Sequence, residues 1–339
     1  MASERPGATG MQRLDLLNRW QHGFPLESRP FARIGAALGV DEAAVIAGFE
    51  AARADGSLSR IGGVWAAGAG GAALLVAIAV PPAALDAVAA QVDALPGVNH
   101  NYEREHRFNL WFVITGPDAA TLAQRLDTLE HATGLATLRL PMQRVYRIDL
   151  GFDLERGQAS HQAAAPAGAV PRVAPLDAPL AGLVEDGLSL VERPYAAWAT
   201  QLGTTETRVL DTLQRWLAQG TLRRFGVVVR HHELGYDQNA MTVFDVPDDE
   251  VDASGAALAR QPGVTLCYRR ARADGWPFNL YCMVHGRERA AVHQLIDAAA
   301  QAAGLQHWPQ EVLFSLRRFK QQGASYFRAS TKEAEHAGA

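Results

Sequence analysis

Lysine is nearly missing from this 339-residue chain, with Lys320 and Lys332 the only two. Cysteine is as scarce, with Cys267 and Cys282 alone. Both fall in predicted strands with no zinc-ligand spacing and no disulfide framework, so they are expected as reduced core residues and no metal site is expected. There is no long apolar run either. Ala72 to Val80 is too short to cross a bilayer and lies too far along the chain for a signal peptide, so a cytoplasmic chain is expected. The net charge of −4 excludes a protein that coats nucleic acid nonspecifically. What positive charge there is comes from arginine, whose planar fork binds carboxylates and phosphates bidentately.

The chain is rich in self-similarity. Gly23, Arg29, Pro30, Phe31, Leu38, Gly39, Gly56, Leu58, Arg60 and Gly62 recur 164 positions later as Gly187, Arg193, Pro194, Tyr195, Leu202, Gly203, Gly220, Leu222, Arg224 and Gly226. Pro96-Gly97-Val98 and Tyr102 return as Pro262-Gly263-Val264 and Tyr268, and Phe108-Asn109-Leu110 as Phe278-Asn279-Leu280. One unit has been duplicated with short loop insertions. Two units are too few for a solenoid, so a pseudo-twofold pair within one chain is expected.

Each copy divides in two. The first part reads as three helices, Arg13 to His22, Phe31 to Leu38 and Asp41 to Asp55, repeated at Leu180 to Asp186, Tyr195 to Leu202 and Thr204 to Gln219. Leu-Gly-Val-Asp and Leu-Gly-Thr-Thr supply the turn and the cap before each third helix, a winged helix-turn-helix pattern. The second part alternates strand and helix in the order βαββαβ, the ferredoxin-like arrangement. In the second copy the expected pieces are a leading strand at Val227 to Arg230, then Ala240 to Val246, Val251 to Arg260, Val264 to Arg270, Phe278 to His285, Arg287 to Ala303 and Glu311 to Arg318. The fold class is therefore α+β, with boundaries at 11–66, 70–152, 180–226 and 227–329 and an Ala/Pro/Gly-rich linker at 153–179.

The helix-turn-helix units are poor readers of DNA. A recognition helix needs Arg, Lys, Asn or Gln at base edges, whereas the first third helix opens Asp41-Glu42-Ala43-Ala44 and the second interleaves Glu206 and Asp211 with Arg208 and Arg215. The denser chemistry lies elsewhere, and the copies differ there. Arg223, Arg224, Arg230, His231 and His232 stand within Leu222 to Tyr236, where the first copy has only Ala66-Ala67-Gly68-Ala69-Gly70-Gly71. Conversely His100-Asn101-Tyr102-Glu103-Arg104-Glu105-His106 faces Leu266-Cys267-Tyr268-Arg269-Arg270-Ala271-Arg272, which keeps the tyrosine and drops both histidines. Each half holds what the other lacks, which predicts one composite pocket rather than two.

At these residues, and at Trp276-Pro277-Phe278-Asn279-Leu280-Tyr281, the chain resembles the siroheme decarboxylases in their fused two-half form, relatives of the leucine-responsive regulators of the Lrp/AsnC type. The resemblance implies cofactor-free removal of carbon dioxide from the C12 and C18 acetates of siroheme, giving 12,18-didecarboxysiroheme on the way to d1-type haem or haem. It also implies a tetrapyrrole partner, with a further copy of the chain and handover to other haem-biosynthesis enzymes as expected contacts; neither membrane nor DNA is expected. A ligand-responsive transcription regulator and a noncatalytic tetrapyrrole carrier are the alternatives.

Siroheme's carboxylates ring a flat apolar disc, so its pocket needs arginine forks and an aromatic wall. Arg223, Arg224, Arg230, Arg269, Arg270, Arg272, Arg104 and Arg107 are candidate clamps, with Trp276, Trp111, Tyr102 and Tyr268 as walls. Decarboxylation consumes a proton, which histidine can supply near neutrality. His100 and His231 are the expected acid pair, His106 and His232 the second choices, and a buried histidine could instead ligate the substrate's iron.

Overall fold

The structure is a computed structural model of the chain, and it describes residues 13–66, 68–148, 152–153, 158–159, 170–229, 238–323 and 326–327. In order the elements are α1 (Arg13–Arg19), α2 (Pro30–Leu38), α3 (Glu42–Ala54), β1 (Leu58–Trp65), β2 (Ala72–Ile78), α4 (Leu85–Ala94), β3 (Val98–Arg104), β4 (Leu110–Gly116), α5 (Ala119–Thr133) and β5 (Thr137–Ile148). Two short strands follow, β6 (Phe152–Asp153) and β7 (Gln158–Ala159). The second copy then runs α6 (Ala178–Asp186), α7 (Pro194–Gln201), α8 (Glu206–Ala218), β8 (Leu222–Val229), β9 (Gln238–Phe244), α9 (Val251–Leu258), β10 (Val264–Arg270), β11 (Leu280–Gly286), α10 (Arg289–Ala302) and β12 (Gln310–Gln321). The third helices begin where their caps stand: Asp41 Oδ1 accepts from Ala44 N–H and the Thr205 side chain from Arg208 N–H.

The helical parts of the two copies are not independent. β1 and β8 pair antiparallel, so the two wings form one ribbon, and a single apolar core runs through both helical units. The first helix of each copy crosses to the strand of the other. Val227 N–H bonds the Trp20 carbonyl beyond α1 at 2.8 Å, and Leu188 N–H beyond α6 bonds the Ile61 carbonyl at 2.7 Å. The repeated glycines Gly62 and Gly226 sit at these crossings. A Cβ there would stand 2.6 Å from the Val184 carbonyl or 2.5 Å from those of Trp20 and Gln21, so no larger residue fits without moving backbone. The sequence placed Val227 in the second ferredoxin-like unit; all of β8 instead belongs to this ribbon, because its partner β1 is in the helical lobe.

Below the lobe, the two ferredoxin-like sheets close into one eight-stranded barrel in the order β10-β11-β9-β12-β3-β4-β2-β5. The long strands make the closure. β5 pairs with β2 of its own half through Pro141 and then with β10 from Met142 onward. β12 does the same, pairing with β9 through Phe314 and with β3 from Ser315. Neither sheet is left with an open edge. Helices α4 and α5 cover one outer face and α9 and α10 the other, each over its own apolar layer. The remaining core lies inside the barrel, where Leu75, Trp111, Leu140, Met241, Trp276, Tyr281 and Leu313 meet from both halves.

Candidate active site

Strand periodicity decides which side chains reach the barrel interior. On β3, Asn101 turns outward to α4, donating to the Ala89 carbonyl at 3.2 Å and Asp93 at 2.9 Å, so His100, Tyr102 and Arg104 face inward. On β10, Cys267 turns outward to the Gly255 carbonyl of α9, leaving Tyr268 and Arg270 inward. Trp111 stands opposite Tyr102 on β4, and Tyr281 opposite Tyr268 on β11.

Two guanidiniums therefore occupy the interior, one from each half. Arg104 Nη1 donates to the Leu313 carbonyl across the β3–β12 junction at 2.9 Å, and Arg270 Nη1 to the Leu140 carbonyl across the β10–β5 junction at 2.8 Å. Each is 5% exposed, and among the described residues neither has a carboxylate partner. Their nearest neighbours are rings: Arg104 lies 5.6 Å from the Tyr102 centroid, and Arg270 5.0 Å from Tyr268 and 5.8 Å from Tyr281. Among the described residues Nε of Arg270 has no hydrogen-bond partner. Burial lowers the pKa of Arg104 to about 10, the tyrosine hydroxyls partly offsetting it. Burial raises the Tyr268 and Tyr281 hydroxyls to about 12, so both are neutral donors. Buried cations without counter-ions are costly, and an anionic oxygen placed beside either would offset that cost.

His100 is held by a defined chain of hydrogen bonds. The Thr115 hydroxyl donates to the Gly97 carbonyl at 3.2 Å. Thr115 Oγ1 then accepts from Asn99 Nδ2 at 3.4 Å, which turns Asn99 Oδ1 toward His100 Nδ1 at 2.7 Å. An amide oxygen only accepts, so the imidazole carries its proton on Nδ1 and Nε2 bears the lone pair. Among the described residues Nε2 has no hydrogen-bond partner. Burial, with Arg104 adding to it, lowers the pKa of His100 to about 4. In this arrangement Nε2 is placed as an acceptor, so the geometry gives His100 a different use from the proton donor expected of it. Gly97 anchors the chain from a φ of 86°, with a Cβ excluded by the Thr115 carbonyl at 1.9 Å.

The other expected residues divide sharply. Trp276 is 1% exposed in the interior, its Nε1 donating to the Tyr281 hydroxyl at 2.6 Å and its ring 5.2 Å from Trp111. His106 sits in the loop after β3, its Nδ1 accepting from Phe108 N–H at 2.9 Å and its Nε2 2.8 Å from Glu311. It ties that loop to β12, and burial lowers its pKa. Arg107 donates to the Gly275 carbonyl. Arg269 and Arg272 face outward onto Asp248, at 3.0 and 2.7 Å, and onto Asp252 and Asp245. Arg223 and Arg224 are in β8 of the helical lobe, away from the barrel interior. Arg224 donates to Gln21 and Val227 carbonyls, and its repeat counterpart Arg60 bonds the corresponding Gly63 carbonyl at 3.1 Å, which marks a brace common to both copies. Arg230, His231 and His232 lie outside the described residues, between the end of β8 and the start of β9.

Sequence reasoning missed Asn99, Thr115 and Tyr281. Counting by twos from Trp111 would have found Thr115, and the repeat offset of 170 from Trp111 would have found Tyr281. It also missed a polar row on the second half. Thr265 donates to the Met283 carbonyl and lies 3.0 Å from His285 Nδ1, His285 is the cross-strand partner of Asn239, and Ser315 donates to Asn239 at 2.7 Å beside Arg104. Among the described residues no three His, Cys, Asp or Glu side chains are grouped to hold a metal ion, and no helix is long and apolar enough to cross a membrane.

Comparison with known proteins places this architecture. Residues 14–58 and 180–223 match the siroheme decarboxylase NirDL-like HTH domain, and residues 69–147 and 233–320 the AsnC-like ligand binding domain. The chain is 43% identical to the siroheme decarboxylase NirDL subunit of Paracoccus denitrificans over 92% of this chain and 96% of that one. It is 29% identical to the siroheme decarboxylase of Hydrogenobacter thermophilus, over 91% and 92%. The crystal structure of the siroheme decarboxylase NirDL superposes with a TM-score of 0.68 at 27% identity, covering 96% of this chain and 99% of that one. A second crystal structure, of NirDL in complex with an iron-uroporphyrin III analogue, gives 0.67 at 25% identity, covering 96% and 98%. Duplicated helical lobes on a shared barrel, with full-length similarity of this order, establish that the chain belongs to the siroheme decarboxylase family.

Proposed function

We propose that this chain removes carbon dioxide from the C12 and C18 acetate groups of siroheme to give 12,18-didecarboxysiroheme, and that the barrel interior holds the tetrapyrrole. The observation that carries the reading is the pair Arg104 and Arg270, two buried guanidiniums with no acidic partner among the described residues, one lent by each half. A substrate fringed with carboxylates supplies the missing anions, and the surrounding Trp111, Trp276 and Tyr281 suit its flat apolar face.

The chemistry constrains what each group does. An acetate on a pyrrole loses carbon dioxide when the C–C bond electrons pass into a ring that has been protonated or otherwise made electron-poor; the new methyl carbon then takes a proton. Net, a carboxylate and one proton give a methyl group and carbon dioxide. The reacting carboxylate loses its charge on the way to the transition state, so a tight ion pair would hold it back. Arg104 and Arg270 therefore grip carboxylates that stay on the ring, and the departing one sits against the aromatic wall. Tyr268, neutral beside Arg270, can donate a hydrogen bond to the same anions. His231 is the proposed proton donor, with His232 beside it in sequence, since His100 is held with its Nε2 lone pair unprotonated. The protonated ring is itself the electron sink for the C–C bond pair, so the balance closes on the substrate and one proton without a further cofactor.

Anaerobic incubation of the purified chain with siroheme, followed by mass analysis, tests the reading. Loss of two carbon dioxide equivalents is expected. Binding without mass loss would leave a carrier, and salt-sensitive binding of promoter DNA with neither would leave a regulator.

A further inference from the structure

The chain Gly97–Thr115–Asn99–His100 does more than place an imidazole in the barrel. Each link has a fixed direction, and the direction ends in a lone pair: Thr115 donates to Gly97, Asn99 to Thr115, His100 Nδ1 to Asn99. Histidines that bind metal share this arrangement, one ring nitrogen donating to an oxygen so that the other faces the metal as a neutral donor. Two further observations agree with it. His100 is on the same face of β3 as Arg104, the proposed carboxylate clamp, and the second half has Leu266 where the first has His100, so one imidazole of this kind is offered by the pair of repeated positions. A tetrapyrrole brings four nitrogen ligands of its own, so a single side chain is enough.

Resting on the reading above, we propose that His100 Nε2 is an axial ligand to the iron of the bound tetrapyrrole, and that Asn99 and Thr115 are the positioning residues that hold it in the ligating tautomer. The bond formed is a dative one from the Nε2 lone pair to iron, with no change in proton count or oxidation state. Its use is orientation. Two arginines on the rim set how the disc is rotated, and a bond to its central iron fixes where the plane sits in the barrel.

Spectroscopy separates this from a role in proton transfer. The full-length chain is titrated with ferric siroheme and with the iron-free form of the same tetrapyrrole, and each complex is followed by visible absorption and, for iron, by electron paramagnetic resonance. The wild type is expected to give an absorption and ferric resonance signal shifted from those of free siroheme, as one axial nitrogen ligand produces. His100→Ala is expected to lose that signal, to bind the iron form tenfold or more weakly (about 1.4 kcal/mol) and the iron-free form unchanged. Added imidazole should restore the wild-type signal. Asn99→Leu should keep some ligation with about 10-fold to 100-fold weaker binding of the iron form alone. His100→Gln, which keeps the volume and a hydrogen-bonding amide, serves if the alanine variant fails to fold. The proposal is overturned by an unchanged iron spectrum in a folded His100 variant, or by equal weakening for iron-loaded and iron-free ligand. Wild-type protein that neither binds nor decarboxylates siroheme would instead overturn the function on which it rests.

Discussion

The two halves share a backbone plan yet use the same interior positions differently. Tyr102 and Arg104 on β3 have counterparts in Tyr268 and Arg270 on β10, and each arginine crosses to a carbonyl of the other half. By contrast His100 faces Leu266 in the repeat, Asn99 faces Thr265, and Thr115 faces His285. Duplication kept the inward arginines symmetric and let the positions around His100 diverge. A substrate with carboxylates on all sides needs the first, whereas a reaction at chosen side chains needs the second.

The largest effect should come from removing the symmetric part. Arg104→Met or Arg270→Met is expected to lower kcat/KM about a thousandfold, on the order of 4 kcal/mol, because a buried charge-assisted contact is lost. Each should leave the ligand-free protein as stable or more so, because a buried cation without a counter-ion is replaced by an apolar side chain. Turnover and urea denaturation of the same samples test both halves of that statement. A sharply destabilised Arg270→Met would show that the guanidinium is structural, as Arg224 is.

Next come the crossings in the helical lobe. Gly226→Val and Gly62→Val should each cost about 3 kcal/mol, since the added carbons meet main chain rather than a movable side chain. Equal losses for the two would establish that both copies contribute alike to the lobe, and chemical denaturation would detect a difference.

Acid should separate the copies. The His100 pKa falls from 6.5 unfolded to about 4 folded, so the unfolded chain binds the proton more readily and stability drops as the pH falls between those values. The contribution is on the order of 2 kcal/mol, allowing for partial exposure, and is fully present only above the unfolded value. His100→Gln should flatten that part of the pH–stability profile, whereas Leu266→Gln at the repeated position should not; melting curves from pH 4 to pH 7 would measure it.

The smallest effect is expected at Arg269. It lies next to Arg270 in sequence but turns outward onto Asp248, a half-exposed pairing worth less than about 1 kcal/mol. Arg269→Gln should change kcat/KM by no more than a few-fold, and a loss comparable with Arg270→Met would contradict the inward and outward assignment of β10.

Much of this was legible in the residues. The constant offsets exposed the duplication, and the caps at Asp41 and Thr205 marked the third helices to within a residue or two. Tyr102, Arg104, Arg270 and Trp276, expected together as clamps and walls, lie in one interior, because alternation along a strand and repetition between copies are both local properties. Arg223, Arg224, Arg269 and Arg272 were grouped with them on charge alone. Charge does not say which face of a strand a residue takes, nor that β8 pairs with β1.

The amino-acid order on its own determined that there are two copies, that each has a helical and a strand-rich part, and where arginine and aromatic side chains alternate, since these follow from periodicity within a few residues. Only the tertiary structure decided that β5 and β12 cross over to close a barrel, that two arginines are stranded inside it without acids, and which nitrogen of His100 keeps its lone pair. Those outcomes depend on pairings between residues up to two hundred positions apart, such as Arg104 with Leu313, and no local pattern carries them.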